Sequence, residues 1–452
     1  MEQILNDIRN SKARYLEELT RFLAIPSISS DPENKNDVLL CAEHVSKMLV
    51  QSGLTNIKVT PTAGHPVVSG EWLQAPGKPT LLIYGHYDVQ PVDPLDLWEK
   101  PPFEAHIKNN RLVARGSADD KGQVFMHLKA IEAVMTSKGK LPVNVKFIIE
   151  GEEEIGSPNL AGFLRDHKAE FDADVVIISD SQMYAENLPA ITYGLRGLTY
   201  LEIEVTGPNR DLHSGSFGGT VANPAEILAR MLASVKDENG HIQIPGFYDD
   251  VKDVPAVERA LLGSVPFDEV AYREGLGVKE LWGEEGYSPN ERTWIRPTFE
   301  INGIWGGFTG VGAKTVLPSK ASAKISSRLV PDQDPTKIVE LTTRYFQSIA
   351  PKSVTVKVTN HHGGKPVVAP LKTPYVEAAR KAFKASFHTD ALFIREGGSI
   401  PIVADFKEIL GLDTLLIGFA LPDNRAHSPN ENFHLPTMYT GIETLVILLN
   451  SL

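Results

Sequence analysis

The sequence predicts an α/β protein whose main domain, a largely parallel sheet flanked by helices, is interrupted by a smaller α+β domain. Short apolar runs alternate with helical stretches in the first part of the chain, as in parallel α/β sheets. Residues 193–363 change to strands with alternating polar and apolar positions, and residues 364–452 return to the earlier pattern. A chain of 452 residues also exceeds what one core usually organises.

The elements of the main domain follow from periodicity. Residues 2–24 predict an amphipathic helix that ends before Pro26. Four apolar runs have the length and β-branched content of buried strands. These runs are Thr80–Tyr84, Val143–Ile149, Val175–Ser179 and Thr414–Phe419. Helices are predicted between them, such as Val124–Ser137 and Leu160–His167.

The middle of the chain predicts a ferredoxin-like domain. Its alternating strands are Leu198–Val205, Ala321–Val330 and Ser353–Thr359. An Asn-Pro at 223–224 and an Asp-Pro at 334–335 each place a cap residue and a first-turn proline before a helix. Two strand–helix–strand units result. We therefore predict one domain from residues 1–192 and 364–452 and a second from 193–363, with no fold assigned to the insert 241–298.

Charge and cysteine content narrow the classes of function. Lys and Arg total 45 against 57 Asp and Glu, a net charge of −12, which predicts no nucleic-acid partner and no anionic-membrane partner. The single cysteine, Cys41, excludes an intrachain disulfide and a cysteine-cluster metal site. No segment has the pattern of a secretory leader or a membrane span, so we expect a cytoplasmic location.

Histidines and carboxylates follow each of the four apolar runs. They are His86 and Asp88, Glu152–Glu154, Asp180 and His427, and a further pair, Asp119-Asp120, precedes a helix. Sites in parallel α/β sheets form at the carboxyl ends of strands. Each residue alone has a plainer explanation, such as a structural histidine, a helix cap or a solvated acidic turn. Their shared position at strand ends favours a metal site.

The types of side chain indicate the chemistry of that site. Two imidazoles and several carboxylates, with no thiolate, suit zinc, manganese or cobalt in an open hydrolytic site. A shared carboxylate can bridge two cations about 3.5–4 Å apart. One carboxylate must stay free as a general base, and Glu153 and Glu154 can divide these roles between them.

Eight motifs in this order resemble a known family. They are GHYDVQP, RGSADDKGQ, EGEEEIGS, ISD, DLHSG, SRLVP, REGGSIP and AHSPNE, and they run from residue 85 to residue 431. They are similar to motifs of the zinc metallopeptidases that include aminoacylases and glutamate carboxypeptidases, on the branch of carnosine-type and cytosolic nonspecific dipeptidases. The resemblance implies a catalytic domain and, at 193–363, a lid and dimerisation domain.

The resemblance also implies a ligand set for two divalent cations in each subunit. His86, Asp119 and Asp180 would hold one cation. Asp119, Glu154 and His427 would hold the other. Zinc is the expected metal, with manganese and cobalt as alternatives. The peptide bond between Asp119 and Asp120 is often cis in this family.

Further roles follow from the same resemblance. Glu153 would be the general acid/base for a metal-bridged hydroxide that attacks a dipeptide, and Asp88 would orient His86. His213 would stabilise the oxyanion, in the active site of the partner subunit of a homodimer. Arg328 would bind the terminal carboxylate of a small peptide substrate. The donors nearby would be Gly398 and Ser399.

Two alternatives stay open from the sequence. An N-acyl amino acid deacylase of the same family would use the same centre on a small acyl amide. A metal-binding interaction protein without catalysis would need no free base, which the Glu153-Glu154 pair disfavours. The sequence leaves open the native metal, the preferred substrate side chains, and the roles of the insert 241–298 and of Glu152.

Overall fold

A computed structural model describes residues 1–452, which form two compact units. Unit 1 comprises Met1–Tyr193, Ala369–Ile394 and Asp405–Leu452, and unit 2 comprises Gly194–Val368 and Arg395–Ala404. The predicted second domain is one continuous stretch, whereas unit 2 also takes in a short segment from late in the chain.

The strands are β1 Thr55–Thr60, β2 Val67–Trp72, β3 Thr80–His86, β4 His106–Lys108, β5 Arg111–Val113, β6 Asn144–Glu150, β7 Val175–Ile178, β8 Ala190–Leu195, β9 Gly197–Thr206, β10 Leu212–His213, β11 Thr298–Gly306, β12 Val316–Leu317, β13 Lys320–Leu329, β14 Thr355–Gly364, β15 Val367–Val368, β16 Leu392–Glu396, β17 Thr414–Leu416 and β18 Asn432–His434. The helices are α1 Glu2–Asn10, α2 Lys12–Leu23, α3 Lys35–Gln51, α4 Lys121–Lys138, α5 Leu160–Asp166, α6 Ser214–Phe217, α7 Pro224–Ala233, α8 Ala256–Gly263, α9 Glu269–Leu276, α10 Pro289–Trp294, α11 Pro335–Ile349, α12 Pro374–Phe387, α13 Pro401–Asp405 and α14 Leu435–Asn450.

The main sheet of unit 1 is mixed, with a parallel centre. Seven of its strands follow the order β1-β2-β6-β3-β7-β17-β8, and β16 also pairs with β8. The four central strands, β6, β3, β7 and β17, are parallel to one another. The pairs β1–β2, β2–β6 and β17–β8 are antiparallel. The predicted α/β class is therefore confirmed, and all four apolar runs of the sequence are these central strands.

Helix α4 begins directly after Asp119 and Asp120 and packs close to the main sheet. The helix packs against β3 and α14. Gly122 in its first turn has no room for a side chain, because a Cβ there would lie 1.9 Å from the backbone oxygen of Ser117. Gly139 ends the helix in a left-handed conformation with φ of 67°. The predicted helix, Val124–Ser137, lacks the first turn because that turn carries lysine and glycine rather than apolar residues.

The structure divides the predicted N-terminal helix in two. Helices α1 and α2 meet at Ser11, whose backbone lies outside the α region at φ −92° and ψ 1°. The second helix ends at Leu23, so the predicted end before Pro26 is confirmed. The sequence does not predict this break, because the apolar periodicity continues across the single non-helical residue.

Unit 2 contains the predicted ferredoxin-like arrangement. Strands β9, β11, β13 and β14 form an antiparallel sheet in the order β11-β13-β9-β14, and the chain runs β9-α7-β11-β13-α11-β14. The caps form as predicted: Asn223 accepts a hydrogen bond from the backbone N–H of Ala225, and Asp334 accepts one from that of Thr336. Strand β11 was missed because most of its residues are exposed, so it lacks the alternating pattern.

The insert 241–298 contains three short helices, α8, α9 and α10. Helix α10 begins with a capping box between Ser288 and Glu291. Elsewhere, Cys41 is a buried free thiol on α3. No helix of the chain combines the length and the apolar character that crossing a bilayer requires.

A buried histidine on α4 predicts a pH-dependent stability. His127 is 4% exposed, its Nε2 lies 2.7 Å from Ser179 Oγ, and burial lowers its pKa to about 3. Below the ordinary histidine pKa of about 6.5, His127 binds a proton in the unfolded chain but not in the folded chain. The free energy of unfolding therefore falls as pH falls. The variant His127→Gln lacks this pH-dependent contribution to the free energy of unfolding. Between about pH 7.5 and about pH 5.5, wild type should lose about 1.4 kcal/mol relative to the variant.

Urea unfolding of both metal-free proteins across this range measures the difference. Because both proteins share every other titrating group, those contributions cancel in the comparison. A constant difference between wild type and His127→Gln at all pH values would contradict the prediction.

Candidate metal centre

The candidate ligands lie at one edge of the sheet because four parallel strands end there. His86 is the last residue of β3, and Glu153 begins a short helical turn after β6. Asp180 lies two residues after β7, and His427 lies in the loop after β17. These strands are neighbours in the order β6-β3-β7-β17. The fifth position, Asp119, lies just before α4.

Two triads of ligand atoms form around Asp119. In the first, His86 Nε2 lies 3.2 Å from Asp119 Oδ1 and 3.9 Å from Asp180 Oδ2. In the second, His427 Nε2 lies 2.9 Å from Asp119 Oδ2 and 3.3 Å from Glu154 Oε2. The ligand atoms of each triad lie within 4.8 Å of one another, so each triad could hold a cation. One oxygen of Asp119 faces each triad.

The protonation of His86 tests whether these residues fit a metal. Its Nδ1 lies 3.1 Å from the carbonyl oxygen of Asp88, an acceptor, so Nδ1 carries the hydrogen. The Nε2 atom is buried, makes no hydrogen bond, and faces the carboxylates of Asp119 and Asp180. A lone pair that faces two anionic oxygens is repelled unless a proton or a metal cation lies between them. The donor set therefore fits a divalent cation.

Carboxylates dominate the electrostatics of both imidazoles. Burial opposes protonation of His86, but the nearby carboxylates of Asp119 and Asp88 outweigh it and raise the His86 pKa well above its ordinary value. Hydrogen bonds to Asp119 and Glu154 raise the pKa of His427 to about 11. The raised pKa values of both histidines show that the electrostatic potential here is negative, which favours a bound positive charge.

Glu153 belongs to neither triad. Burial raises the pKa of Glu153 well above its ordinary value, and the negative charges of Asp180 and Glu154 add to this effect. A carboxylate with a high proton affinity beside two potential cation sites is suited to take up and return a proton.

Asp88 holds both the histidine and the glutamate pair. Its Oδ1 lies 3.3 Å from His86 Nδ1 and accepts a hydrogen bond from the backbone N–H of Glu153 at 3.2 Å. Its Oδ2 accepts one from the backbone N–H of Glu154 at 3.1 Å. The strand end and the acidic turn are therefore held together by one buried carboxylate.

Asp120 is not the helix cap that its position before α4 suggests. Its side chain makes no capping hydrogen bond, and its Oδ2 accepts a hydrogen bond from the backbone N–H of His86 at 3.3 Å. Burial raises the pKa of Asp120 well above its ordinary value. The peptide bond between Asp119 and Asp120 is cis, as the resemblance implies.

Glu152, for which the sequence predicts no role, fastens a neighbouring loop. Its carboxylate accepts hydrogen bonds from the backbone N–H of His65 at 3.1 Å and from the side-chain amide of Asn159 at 2.8 Å. It is buried and forms part of neither triad. Its contacts support the turn that carries the next two glutamates.

Three residues that sequence reasoning did not select also hold the ligand loops. Gln90 Nε2 donates to Glu154 Oε2 at 2.8 Å. Gln123 Nε2 donates to the carbonyl oxygens of Ala118 and Ser181, the neighbours of two predicted ligands. Glu431 accepts hydrogen bonds from the loop before Asp120. All three residues lie inside quoted motifs, but only the folded contacts identify their partners.

His213 lies in unit 2, exposed at the end of β10. Its Nδ1 accepts hydrogen bonds from the backbone N–H groups of Gly215 at 3.0 Å and Ser216 at 3.2 Å. The hydrogen of the neutral ring is therefore on Nε2, which makes this nitrogen a donor. A donor is what stabilisation of an oxyanion requires.

The three remaining predicted residues come together in unit 2. Arg328 Nη1 donates to Ser399 Oγ at 2.8 Å, and Ser399 Oγ donates to the carbonyl oxygen of Arg196. The backbone N–H of Arg196 donates to the carbonyl oxygen of Gly398 at 3.2 Å, while its side chain donates to that of Gly397. The segment from Gly397 to Ser399 is thereby fastened within unit 2.

Arg196 and Arg328 line a cavity of about 450 Å³ within unit 2. Arg196 is buried, and burial together with the charge of Arg328 lowers its pKa to about 10. Burial also lowers the pKa of Arg328. The hydrogen bonds of both guanidinium groups go to carbonyl or hydroxyl oxygens rather than to carboxylates, although Glu284 and Glu300 also line the cavity. Two partly desolvated cations at one cavity favour an anionic group there.

Comparison with known proteins agrees with this geometry. The model of peptidase family M20/M25/M40 matches residues 82–451. The Cys-Gly metallodipeptidase DUG1 of Candida albicans is 34% identical, over 98% of this chain and 96% of that protein. The Beta-Ala-His dipeptidase of Homo sapiens is 35% identical, over 82% of this chain and 74% of that protein.

A solved structure extends the similarity to the whole fold. The dipeptidase Dug1p from Saccharomyces cerevisiae superposes with a TM-score of 0.88 at 32% identity, over 99% of this chain and 97% of that chain. The family predicted from the eight motifs, and its dipeptidase branch, are thus confirmed. This chain belongs to peptidase family M20/M25/M40 and is a metal-dependent hydrolase.

Proposed function

We propose that this protein hydrolyses the peptide bond of dipeptides and short peptides with two divalent cations in each subunit. The observation that carries the proposal is the pair of triads that share Asp119, beside a glutamate, Glu153, that belongs to neither. The names of two relatives, a Cys-Gly metallodipeptidase and a Beta-Ala-His dipeptidase, support a small peptide as substrate.

In this proposal unit 1 is the catalytic domain and its two triads are the metal ligands. Nitrogen and carboxylate donors without thiolate make zinc the expected cation, with manganese and cobalt as alternatives. When bound, such cations acidify a water molecule and polarise the scissile carbonyl. The protein positions the ligands through Asp88, Gln90 and Gln123, whose hydrogen bonds hold the ligand loops.

Glu153 is the general acid/base of the proposed reaction. Its carboxylate takes the proton of the attacking water and returns it to the leaving amine. Its environment supports this role because burial and neighbouring acids strengthen its hold on a proton. Asp88 places Glu153 through the backbone N–H of that residue.

Unit 2 is the proposed lid and dimerisation domain, and it recognises the substrate. The Arg328 guanidinium, held by Ser399 Oγ, binds the terminal carboxylate of the peptide, and donors near Gly398 assist. His213 stabilises the oxyanion from the partner subunit through its Nε2–H. The absence of a carboxylate partner for Arg328 supports its role as an anion receptor.

A homodimer through unit 2 is supported by an apolar edge. Strand β11 lies at the edge of its sheet, where unpaired backbone groups and exposed side chains can pair with another chain. Ile301, Ile304 and Trp305 on this strand are 49%, 56% and 44% exposed. Large apolar side chains at an open strand edge are typical of an interface.

A substrate panel tests the proposed function. Protein loaded with zinc, manganese or cobalt in turn should cleave dipeptides with kcat/KM about 10²-fold above N-acetyl and N-succinyl amino acids. Dipeptides with an amidated C-terminus should also be poor substrates, because they lack the carboxylate for Arg328. Faster turnover of the N-acyl compounds would favour the deacylase. Metal-loaded protein that is inert to the whole panel would favour the binding protein.

Replacement of the proposed base separates proton transfer from metal binding. Glu153→Gln should lower kcat for dipeptides by roughly 10²–10⁴-fold, because the amide cannot accept the proton. Its metal content, measured by atomic absorption, should equal that of wild type. Glu154→Gln is the matched control, because this neighbour belongs to a triad and its loss should reduce the metal content. Loss of metal from Glu153→Gln would show that Glu153 is a ligand.

A hybrid dimer tests the placement of His213. Glu153→Gln and His213→Ala chains, co-expressed with different tags and purified by both, should combine into dimers with about half of wild-type activity. In such a hybrid one site has both an intact glutamate and the partner's intact histidine. The two parent homodimers, each defective at both sites, are the controls. A hybrid as inactive as its parents would show that each chain uses its own histidine.

A further inference from the structure

Glu431 is a fully buried carboxylate that accepts four hydrogen bonds, all from the loop of residues 115–119. Its Oε2 accepts hydrogen bonds from Arg115 Nη1 at 2.8 Å and from the backbone N–H of Gly116 at 3.0 Å. Its Oε1 accepts hydrogen bonds from the backbone N–H groups of Ala118 at 2.9 Å and Asp119 at 3.1 Å. Both oxygens are thus occupied twice, and three of the four donors are backbone amides.

The loop that Glu431 holds ends in the shared ligand. Asp119 supplies one oxygen to each triad, and its own backbone N–H is one of the four donors to Glu431. A shift of this backbone would change the distance from Asp119 to both imidazoles at once. The loop turns at Gly116, whose φ of +81° is one that side chains disfavour.

Glu431 also belongs to the loop that carries His427. This loop closes where the backbone N–H of Asn432 donates to the carbonyl oxygen of Asn424 at 2.8 Å. The backbone carbonyl of Glu431 accepts a hydrogen bond from the N–H of Ala114 at 3.0 Å. One residue therefore ties the segment that ends in Asp119 to the segment that carries His427, through its side chain and its backbone.

A purely structural ion pair between Arg115 and Glu431 explains less of this geometry. Burying an ion pair costs desolvation that apolar residues of similar volume would avoid. Moreover, the arginine uses only one of the four acceptor positions, and its Nη2 donates to the carbonyl oxygen of Pro91. Glu431 instead satisfies successive amides in a loop without regular secondary structure, which would otherwise be free to move.

We propose that Glu431 is a positioning residue that sets the separation of Asp119 from His86 and His427, and so the affinity of both triads for their cations. This inference rests on the proposed metal function of the triads. Glu431 itself touches neither cation position nor substrate. Outer groups of this kind typically change metal affinity by about 10–100-fold when they are replaced.

The test measures metal affinity directly. In Glu431→Gln, an NH2 group replaces one of the two carboxylate oxygens. Because the NH2 group cannot accept hydrogen bonds, the two bonds that this oxygen accepted are lost. Zinc titration with a competing chelator should show both binding steps weakened by about 10–100-fold. His427→Ala, which removes a ligand of one triad, should weaken one step much more than the other. Asp423→Asn is the control near the loop of Glu431. It removes the surface ion pair between Asp423 and Arg111 and should leave both binding steps unchanged.

A second readout needs no metal. Amide hydrogen exchange in the metal-free proteins should be faster at Gly116, Ala118 and Asp119 in Glu431→Gln, with the exchange of β3 unchanged. If this variant does not fold, the double variant Arg115→Met/Glu431→Gln removes the buried pair together and should show the same loss of affinity. Unchanged zinc affinity in either folded variant overturns the inference. A wild-type protein that binds no divalent cation overturns the proposed function instead.

Discussion

Repulsion among closely spaced carboxylates at one edge of the main sheet is the constraint on which the candidate metal centre depends. Asp119, Asp180 and Glu154 approach two imidazole nitrogens within a few ångströms, and Asp120 and Glu153 lie beside them. Like charges at such distances raise each other's pKa and favour separation. The arrangement therefore favours bound positive charge in its centre and a rigid support around it.

Backbone amides provide much of that support. Asp88 accepts hydrogen bonds from the amides of Glu153 and Glu154, and Glu431 accepts them from the loop that ends in Asp119. Gln123 joins the loops before Asp119 and after Asp180. Because these contacts form among the protein's own residues, they would set the positions of the proposed ligands before any cation binds. Such preorganisation lowers the reorganisation that binding or catalysis would otherwise require.

In unit 2, two positively charged side chains lie close together and are held in place by hydrogen bonds to neutral oxygens. Arg196 and Arg328 lie close enough for the charge of one to lower the pKa of the other. They are held by carbonyl and hydroxyl oxygens, which orient the guanidinium groups, and the charge of Glu300 offsets only part of the effect of burial on Arg196. In the proposed function, an anionic group of the substrate would bind there. The acidic centre in unit 1 and the basic cavity in unit 2 thus each prefer a ligand of defined sign.

The sequence by itself determined the α/β class, the four central strands, the ferredoxin-like unit and the cluster of candidate ligands. These features depend on local periodicity and on residues that directly follow strands, such as His86 and Asp180. Strand β11 was missed because its exposed residues lack alternation. The roles of Glu431, Gln123 and Arg196 were also decided only by tertiary structure. Their partners lie far away along the chain, as with the 312 positions between Glu431 and Asp119, and no local pattern records which distant amide a buried polar side chain will meet.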